Sequence, residues 1–375
     1  MISFNSIDIL LFLGISQGVF LALMIQVIQH KNRLANRTLS LILIVAAIML
    51  TGRFFYTRGT SVAILFRVAL FVDILIFVFG PLLFLYYKRL LYNEASKYRL
   101  PFIHFVPALG MFTYHLWTYR YTQEEFIVMA NDGRLWLPFV IIETVGLLSN
   151  YYYGYKSFTI LQEYKKEEQK NLSYSQRLTP YLTSVLITVF LFLLLWTVSY
   201  VLYYFFGIYS SFVSYNAIWI AICVFIYCIG FYSLKQPEFF RVPIPVIQSK
   251  SIARNRVSGE ALHQLTKNLE YLMVEEKIYL DHRLTLTELA QKLNTSTNDL
   301  SWLLNTIHKS SFYDYINTYR VQEFIEKIHE GAHHRHTILA LSLDSGFTSK
   351  STFNKAFKTV VQDTPSNYIK KMEAA

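Results

Sequence analysis

The sequence predicts an all-α chain in two parts: a seven-transmembrane-helix bundle, then a cytoplasmic domain of two helix-turn-helix units joined by a long linker helix. Three observations carry this. Up to Leu234 the chain is a succession of long apolar runs. From Lys235 it turns to a water-soluble composition, rich in Lys, Glu, Asp, Asn, Ser and Thr. Within that second part, a short helix, a turn and a second short helix recur on either side of one long amphipathic stretch.

Composition places the first part in lipid. Charged residues are 16% of the 375 and hydrophobic residues 53%, whereas soluble proteins average about 25% charged. Mean hydropathy is +0.31. The net charge of +10 is what basic cytoplasmic loops produce, so alone it does not argue for nucleic acid. Both cysteines, Cys223 and Cys228, lie in one apolar run, which excludes a disulfide framework or a cysteine zinc site. Met1 to Asp8 lacks a basic start, and no small-residue cleavage site follows the first apolar run. That run reads as a permanent helix rather than a signal peptide.

A spanning helix needs about 20 mostly apolar residues. The expected spans are Ile9–Ile28, Leu39–Tyr56, Val62–Tyr86, Phe102–Tyr119, Trp136–Tyr155, Leu182–Phe206 and Tyr215–Leu234, with six as the alternative count. Basic residues alternate between loops. Lys31, Arg33 and Arg37, then Lys88, Arg89, Lys97 and Arg99, then Lys156, Lys165, Lys166, Lys170 and Arg177 mark three loops as cytoplasmic. With an odd number of spans the N-terminus lies outside and everything after Leu234 inside, in a bacterial cytoplasmic membrane. Tyr86-Tyr87, Tyr151-Tyr152-Tyr153 and Tyr203-Tyr204 are expected as interfacial anchors. Pro107 is expected to kink the fourth span.

Four polar residues inside spans are candidate ligand-sensing positions: Gln17, Arg67, Asp73 and Glu143. Charge in lipid pairs or lines a cavity. Arg67 paired with Glu143 beside an outward-facing pocket is one arrangement; a pair that only locks the bundle is the other. A small hydrophobic or extracytoplasmic ligand is the partner this implies, besides membrane lipid. The chain has no zincin motif, nucleophile elbow, phosphate-binding glycine loop or inverted repeat of broken helices. No enzymatic step, cofactor or metal is expected. His333, His334 and His336 read as solvated loop residues without a carboxylate partner.

The expected domains are 1–236 (membrane bundle), 237–258 (linker) and 259–375. The linker contains Pro243 and Pro245, where helices stop. Its Arg241, Lys250, Arg254 and Arg256 suit anionic headgroups.

In the third part Ala261–Val274 is amphipathic, and Thr285-Leu286-Thr287-Glu288 has the form of a capping box. Asn294-Thr295 makes a tight turn and Ser296–Asp299 caps the next helix. Phe312–Ile328 is the long helix. Thr337–Leu343, a turn at Gly346 and a helix from Thr348 to about Val360 repeat the unit.

From about Leu265 to Lys371 the sequence resembles the AraC-type DNA-binding domain. The most specific stretch is Ile338 to Lys358, with its Gly346-Phe347 turn and spaced Phe353 and Phe357, followed by Thr364-Pro365-Ser366-Asn367-Tyr368. Leu300-Ser301 and Phe312–Val321 match the first unit and the linker helix. Departures are Lys309 and Gln362 in place of glycine, Ser342 in place of alanine and Ile369 in place of arginine. The resemblance implies double-stranded DNA as partner, and an AraC-type domain behind several membrane helices resembles a class of bacterial regulators. Implied DNA contacts are Thr348, Ser349, Lys350, Thr352, Asn354, Lys355 and Lys358 in the second unit, and Thr297, Asn298, Ser301, Trp302 and Asn305 in the first. Arg320 either holds the units together or binds phosphate. The function expected is a one-component transcription regulator, with a homodimer as a possible active form. The alternative is a transporter or channel whose tail is a regulatory interaction module.

Overall fold

Among the described residues the regular structure is helical, apart from one isolated antiparallel bridge between Leu172 and Thr285. The computed structural model describes residues 5–27, 32–58, 63–92, 98–176, 178–208, 215–235 and 259–374. The expected linker, 237–258, lies outside the described residues. The chain forms two compact units: unit 1 is Met1–Gln162 with Arg177–Pro245, and unit 2 is Glu163–Gln176 with Val246–Ala375.

Unit 1 holds α1 (Ser6–Val27), α2 (Arg33–Arg58), α3 (Ala63–Val72), α4 (Ile76–Leu91), α5 (Val106–Thr118), α6 (Gln123–Asn131), the first three-quarters of α7 (Trp136–Asn171), α8 (Leu178–Phe206) and α9 (Tyr215–Lys235). Helix α1 packs on α2 and α9. Small residues set that closeness: a Cβ on Gly14 would lie 2.6 Å from Cys223 Sγ and 2.9 Å from Leu50 Cδ1. Large apolar side chains point outward instead of into a core, among them Phe12 (68% exposed) and Val27 (73%) on α1 and Leu191 (61%) on α8.

Among the described residues four helices are long and apolar enough to cross a membrane, not seven: Ser6–Val27, Arg33–Tyr56, Ala63–Leu91 and Leu178–Phe206. The reasons differ for the other three. Pro107 stands in the first turn of α5 and opens that helix rather than kinking it, which leaves 13 residues, about 20 Å of helix. Helix α7 has the length, but Glu143, Asn150 and its tyrosines dilute it, and its end is highly charged. Helix α9 runs over Tyr215–Lys235, and its described side chains form the shorter apolar stretch Ala217–Tyr232. Four is an even number, so an outside N-terminus with an inside C-terminus does not follow from these spans.

The tyrosine pairs also fall differently from expectation. Tyr86 and Tyr87 are fully buried; the Tyr87 hydroxyl donates to Leu182 O at 2.6 Å, and Tyr86 lies 3.3 Å from the Tyr181 hydroxyl. Tyr153 is buried too, 2.6 Å from His104 Nδ1. They join helices to one another, while Tyr152 and Tyr203 remain exposed.

Unit 2 holds α10 (Glu260–Val274), α11 (Leu286–Lys292), α12 (Thr297–Thr306), α13 (Phe312–His329), α14 (Ile338–Asp344), α15 (Lys350–Val361) and α16 (Pro365–Glu373). Six of these seven start on a Ser or Thr whose side chain accepts from a backbone N–H inside the helix: Thr285, Ser296, Ser311, Thr337, Ser349 and Thr364. The Thr285–Glu288 box is complete in both directions. Asn294 (φ 50°) and Gly346 (φ 91°) make the two turns in left-handed conformation. Lys309 (φ 49°) and Gln362 (φ 59°) adopt it as well, which explains why glycine is the usual residue at those positions of the pattern.

Helix α13 serves two cores. Its first half gives Phe312, Tyr315 and Ile316 to a cluster with Leu269, Leu289, Leu300 and Leu303. Its second half gives Val321, Phe324 and Ile328 to a cluster with Leu341, Phe347, Phe353 and Phe357. Arg320 lies at the junction, with no exposed surface.

Candidate nucleic-acid interface

The outer face of α15 is the best-formed site in unit 2. Ser349 caps the helix by accepting from Thr352 N at 3.2 Å. Phe353, Ala356 and Phe357 turn inward, with Phe353 5.3 Å from Phe347 and 4.6 Å from Phe324 between ring centroids. The opposite face is then dictated by helical spacing. Lys350, Asn354 and Lys358 follow one another at four-residue steps, with Lys355 beside them, and all four are exposed. Three cations suit phosphate, and an exposed Asn suits an adenine edge. Ser351 is exposed on the same first turn, 3.1 Å from the Ser349 hydroxyl, and was not among the expected contacts.

Other expected contacts are placed less simply. Thr352 is buried: it lies one position before Phe353 and shares its inward side, so it packs rather than reads DNA. Thr348 and Ser349 are half-buried. In α12, Asn298 and Asn305 are exposed, while Thr297, Ser301 and Trp302 are half-buried. The Asn305 amide donates back to Ser301 O at 2.7 Å, and Trp302 packs against the first core.

Arg320 is no phosphate ligand in this structure. Nε donates to Tyr279 O (2.7 Å), Nη1 to Ser173 O (2.9 Å) and Asn317 Oδ1 (3.2 Å), and Nη2 to Ser173 Oγ (3.1 Å) and Asp281 O (2.6 Å). The Phe347 ring lies 5.9 Å away. Burial pushes its pKa down to about 10, so it stays cationic at neutral pH. Of the two expected roles, holding the units together is the one this geometry fits. Ser173 belongs to no motif in the sequence, and only the folded chain brings it here.

The candidate sensing residues in unit 1 do not converge as expected. Arg67 does not pair with Glu143. Its Nη1 donates to Thr118 O at 3.1 Å and its Nη2 to Tyr121 O, and its guanidinium lies 5.5 Å from the Tyr119 ring. It thus caps the carbonyl end of α5. Glu143 accepts from Trp196 Nε1 at 3.1 Å and from the Tyr204 hydroxyl. Asp73 interacts electrostatically with Glu143 and with Arg53, and Arg53 also lies 5.6 Å from the Tyr56 ring and 5.9 Å from the Trp219 ring. Gln17 packs elsewhere, beside Gly230 of α9. The polar cluster is therefore Arg53, Asp73, Glu143, Trp196 and Tyr204.

One histidine expectation also changes. His333, His334 and Glu373 bring one ligand atom each within 4.8 Å of one another, so a carboxylate does face the pair. His333 Nε2 lies 3.4 Å from Glu373 Oε1. His336 is exposed and outside this group.

Residues 289–371 match the family model of a helix-turn-helix domain. No curated protein and no solved structure matches the chain. The matched stretch contains α12 to α15 whole, and so both candidate recognition helices and the helix between them. It supports an AraC-type helix-turn-helix domain at the C-terminal end of this chain, and with it a DNA-binding transcription regulator.

Proposed function

We propose that this protein is a multi-pass membrane regulator that binds specific DNA sites through a cytoplasmic AraC-type domain, under control of a signal received by unit 1. The observation that carries the DNA half is the division of α15 within a matched helix-turn-helix domain. Phe353 and Phe357 are buried, while Lys350, Asn354, Lys355 and Lys358 stand free on the other face. The embedding in lipid is supported by four helices of sufficient length and hydropathy and by the apolar side chains they turn outward. In water such a surface would be a large exposed apolar patch; in lipid it is solvated.

DNA contacts follow from position. Lys350, Lys355 and Lys358 hold the phosphate backbone, Asn354 reads a base edge, and Asn298 and Asn305 serve the same end on α12. The polar cluster around Asp73 and Glu143 is the place in unit 1 where a polar or charged ligand would shift a balance between two arrangements, since it holds ionisable groups within the membrane part.

The test is genome-wide DNA occupancy of the full-length protein in cells, set against the triple variant Lys350→Ala, Asn354→Ala, Lys355→Ala. Discrete sites that vanish in the variant are the expected result. A protein present in the membrane with no enriched site under several growth conditions would move the tail to the role of an interaction module.

A further inference from the structure

We propose that the turn Leu172–Gln176, at the end of α7, is a clamp docked on the DNA-binding domain that sets how its two helix-turn-helix units sit together, and that releasing it weakens DNA binding. The inference rests on the DNA-binding reading above and specifies how that site is regulated.

By sequence this turn belongs with the membrane helices, and Arg320 follows Ser173 by 147 residues. In the fold the turn is part of unit 2. Leu172 and Ser173 are buried. Leu172 forms the antiparallel bridge with Thr285, the cap of α11. Ser173 donates twice to Leu284 O, from its backbone N at 3.3 Å and its Oγ at 2.7 Å. Its carbonyl accepts from Asn317 Nδ2 at 3.1 Å and from Arg320 Nη1 at 2.9 Å. Tyr313, whose carbonyl accepts from the same Asn317 amide, has its ring 5.9 Å from Lys355 Nζ on α15. The turn is held in shape from its own side: Tyr164 OH donates to Gln176 Oε1 at 3.0 Å, and Gln176 N donates to the Glu168 carboxylate.

Arg320 ties this turn to the domain by hydrogen bonds as well as packing. A guanidinium has five N–H donors, and each of the five bonds of Arg320 goes to a neutral acceptor, two of them on Ser173. The remaining acceptors are Tyr279 O and Asp281 O from the first unit and Asn317 Oδ1 on α13, and Phe347 of the second unit lies against the same group. One buried cation thus touches the first unit, the joining helix and the second unit. Without Ser173, two donors of a buried charge lose their partners. The position of α11 and α12 against α13 then loosens, and DNA binding needs both recognition helices in one register. The turn follows directly on α7, the helix that carries Glu143 in unit 1.

The experiment uses the full-length chain in lipid nanodiscs, with duplexes taken from the most occupied genomic sites. Ser173→Arg places a second cation in a fully buried position beside Arg320; Ser173→Ala keeps the backbone donor and acceptor. Hydrogen exchange reports docking, through peptides over 163–176 and 279–285, and fluorescence anisotropy reports DNA affinity. The expected result is that Ser173→Arg deprotects both peptides, leaves α15 protected and raises the DNA Kd at least about fivefold, while Ser173→Ala stays within about twofold. Deprotection with an unchanged Kd, or with a tighter one, overturns the clamp. A second measurement needs no variant. Coupling is reciprocal, so adding the duplex to the wild-type protein must increase protection of Leu172–Gln176; identical protection with and without DNA overturns the proposal. A wild-type chain that binds no discrete duplex while 163–176 is protected would refute the DNA-binding reading, and the regulation with it, but not the docking.

Discussion

At the scale of single residues, three positions in unit 2 test the backbone argument. Gly346 combines φ 91° with a space in which a Cβ would sit 2.6 Å from Tyr279 O, an acceptor of Arg320. Gly346→Ala should therefore destabilise unit 2 by about 2–3 kcal/mol, measured by urea titration with hydrogen exchange of α13 as readout. Gln362 and Lys309 hold positive φ with a Cβ in place. Replacing either by Gly should stabilise unit 2 by about 0.5–1 kcal/mol in the same titration, the relief of the left-handed strain exceeding the entropy that glycine adds to the unfolded chain. Glu323 is a pH-sensitive point. Burial opposes its ionisation, but hydrogen bonds from Lys277 Nζ (2.8 Å) and the Tyr279 hydroxyl (2.9 Å) outweigh it and hold its pKa below the ordinary 4.5. A carboxylate with a depressed folded pKa stabilises the fold above the ordinary value and loses that contribution as pH falls through the folded one. The urea midpoint of unit 2 should drop as acid takes the pH below 4.5, and Glu323→Gln should flatten that drop while lowering the midpoint at pH 7.

At the scale of elements, α15 is a helix whose two faces do different things, and its mutations should separate accordingly. Lys358→Ala removes one cation from the exposed face and leaves the Phe353–Phe357 face intact. The slope of log K against log salt should become shallower by about 1 with little change in the ranking of sites. Anisotropy titrations at several salt concentrations would show this; a changed ranking at constant slope would make Lys358 a base reader instead. Helix α13 is less divisible, because one half belongs to each core and Arg320 joins them. Helical spacing made α15 legible: its cap, its apolar face and the charged face opposite all follow a 3.6-residue period. Thr352 is buried although its residue type suits a DNA contact, because it sits at the edge of that face, where a residue's side depends on how deeply the helix is set into its neighbours.

For the whole molecule, the question is whether unit 1 senses or only anchors. Under the regulator reading, replacing residues 1–162 and 177–235 by unrelated membrane helices that keep 163–176 in place should leave DNA occupancy fixed across growth conditions that alter it in the intact protein. Occupancy that still varied as in the intact protein would make unit 1 an anchor. The count of spans was the large-scale expectation that changed. Hydropathy alone turned every apolar stretch into a crossing. Folding showed that a proline opens α5 late and that α7 owes much of its length to a charged end.

What is local can be read from the linear chain. Helical class, the Ser and Thr caps, the turns at Asn294 and Gly346 and the exposed face of α15 each arise within a few residues and leave a periodic or compositional mark. Pairings between residues far apart in the chain arise on folding. Folding set Arg67 against carbonyls of Thr118 and Tyr121 instead of Glu143, buried Tyr86 and Tyr87 between helices, brought Glu373 to His333, and placed Ser173 on Arg320. A hydrogen bond across 147 residues requires only one acceptor and one donor. It imposes no spacing on the residues around either, so nothing in the linear pattern marks it.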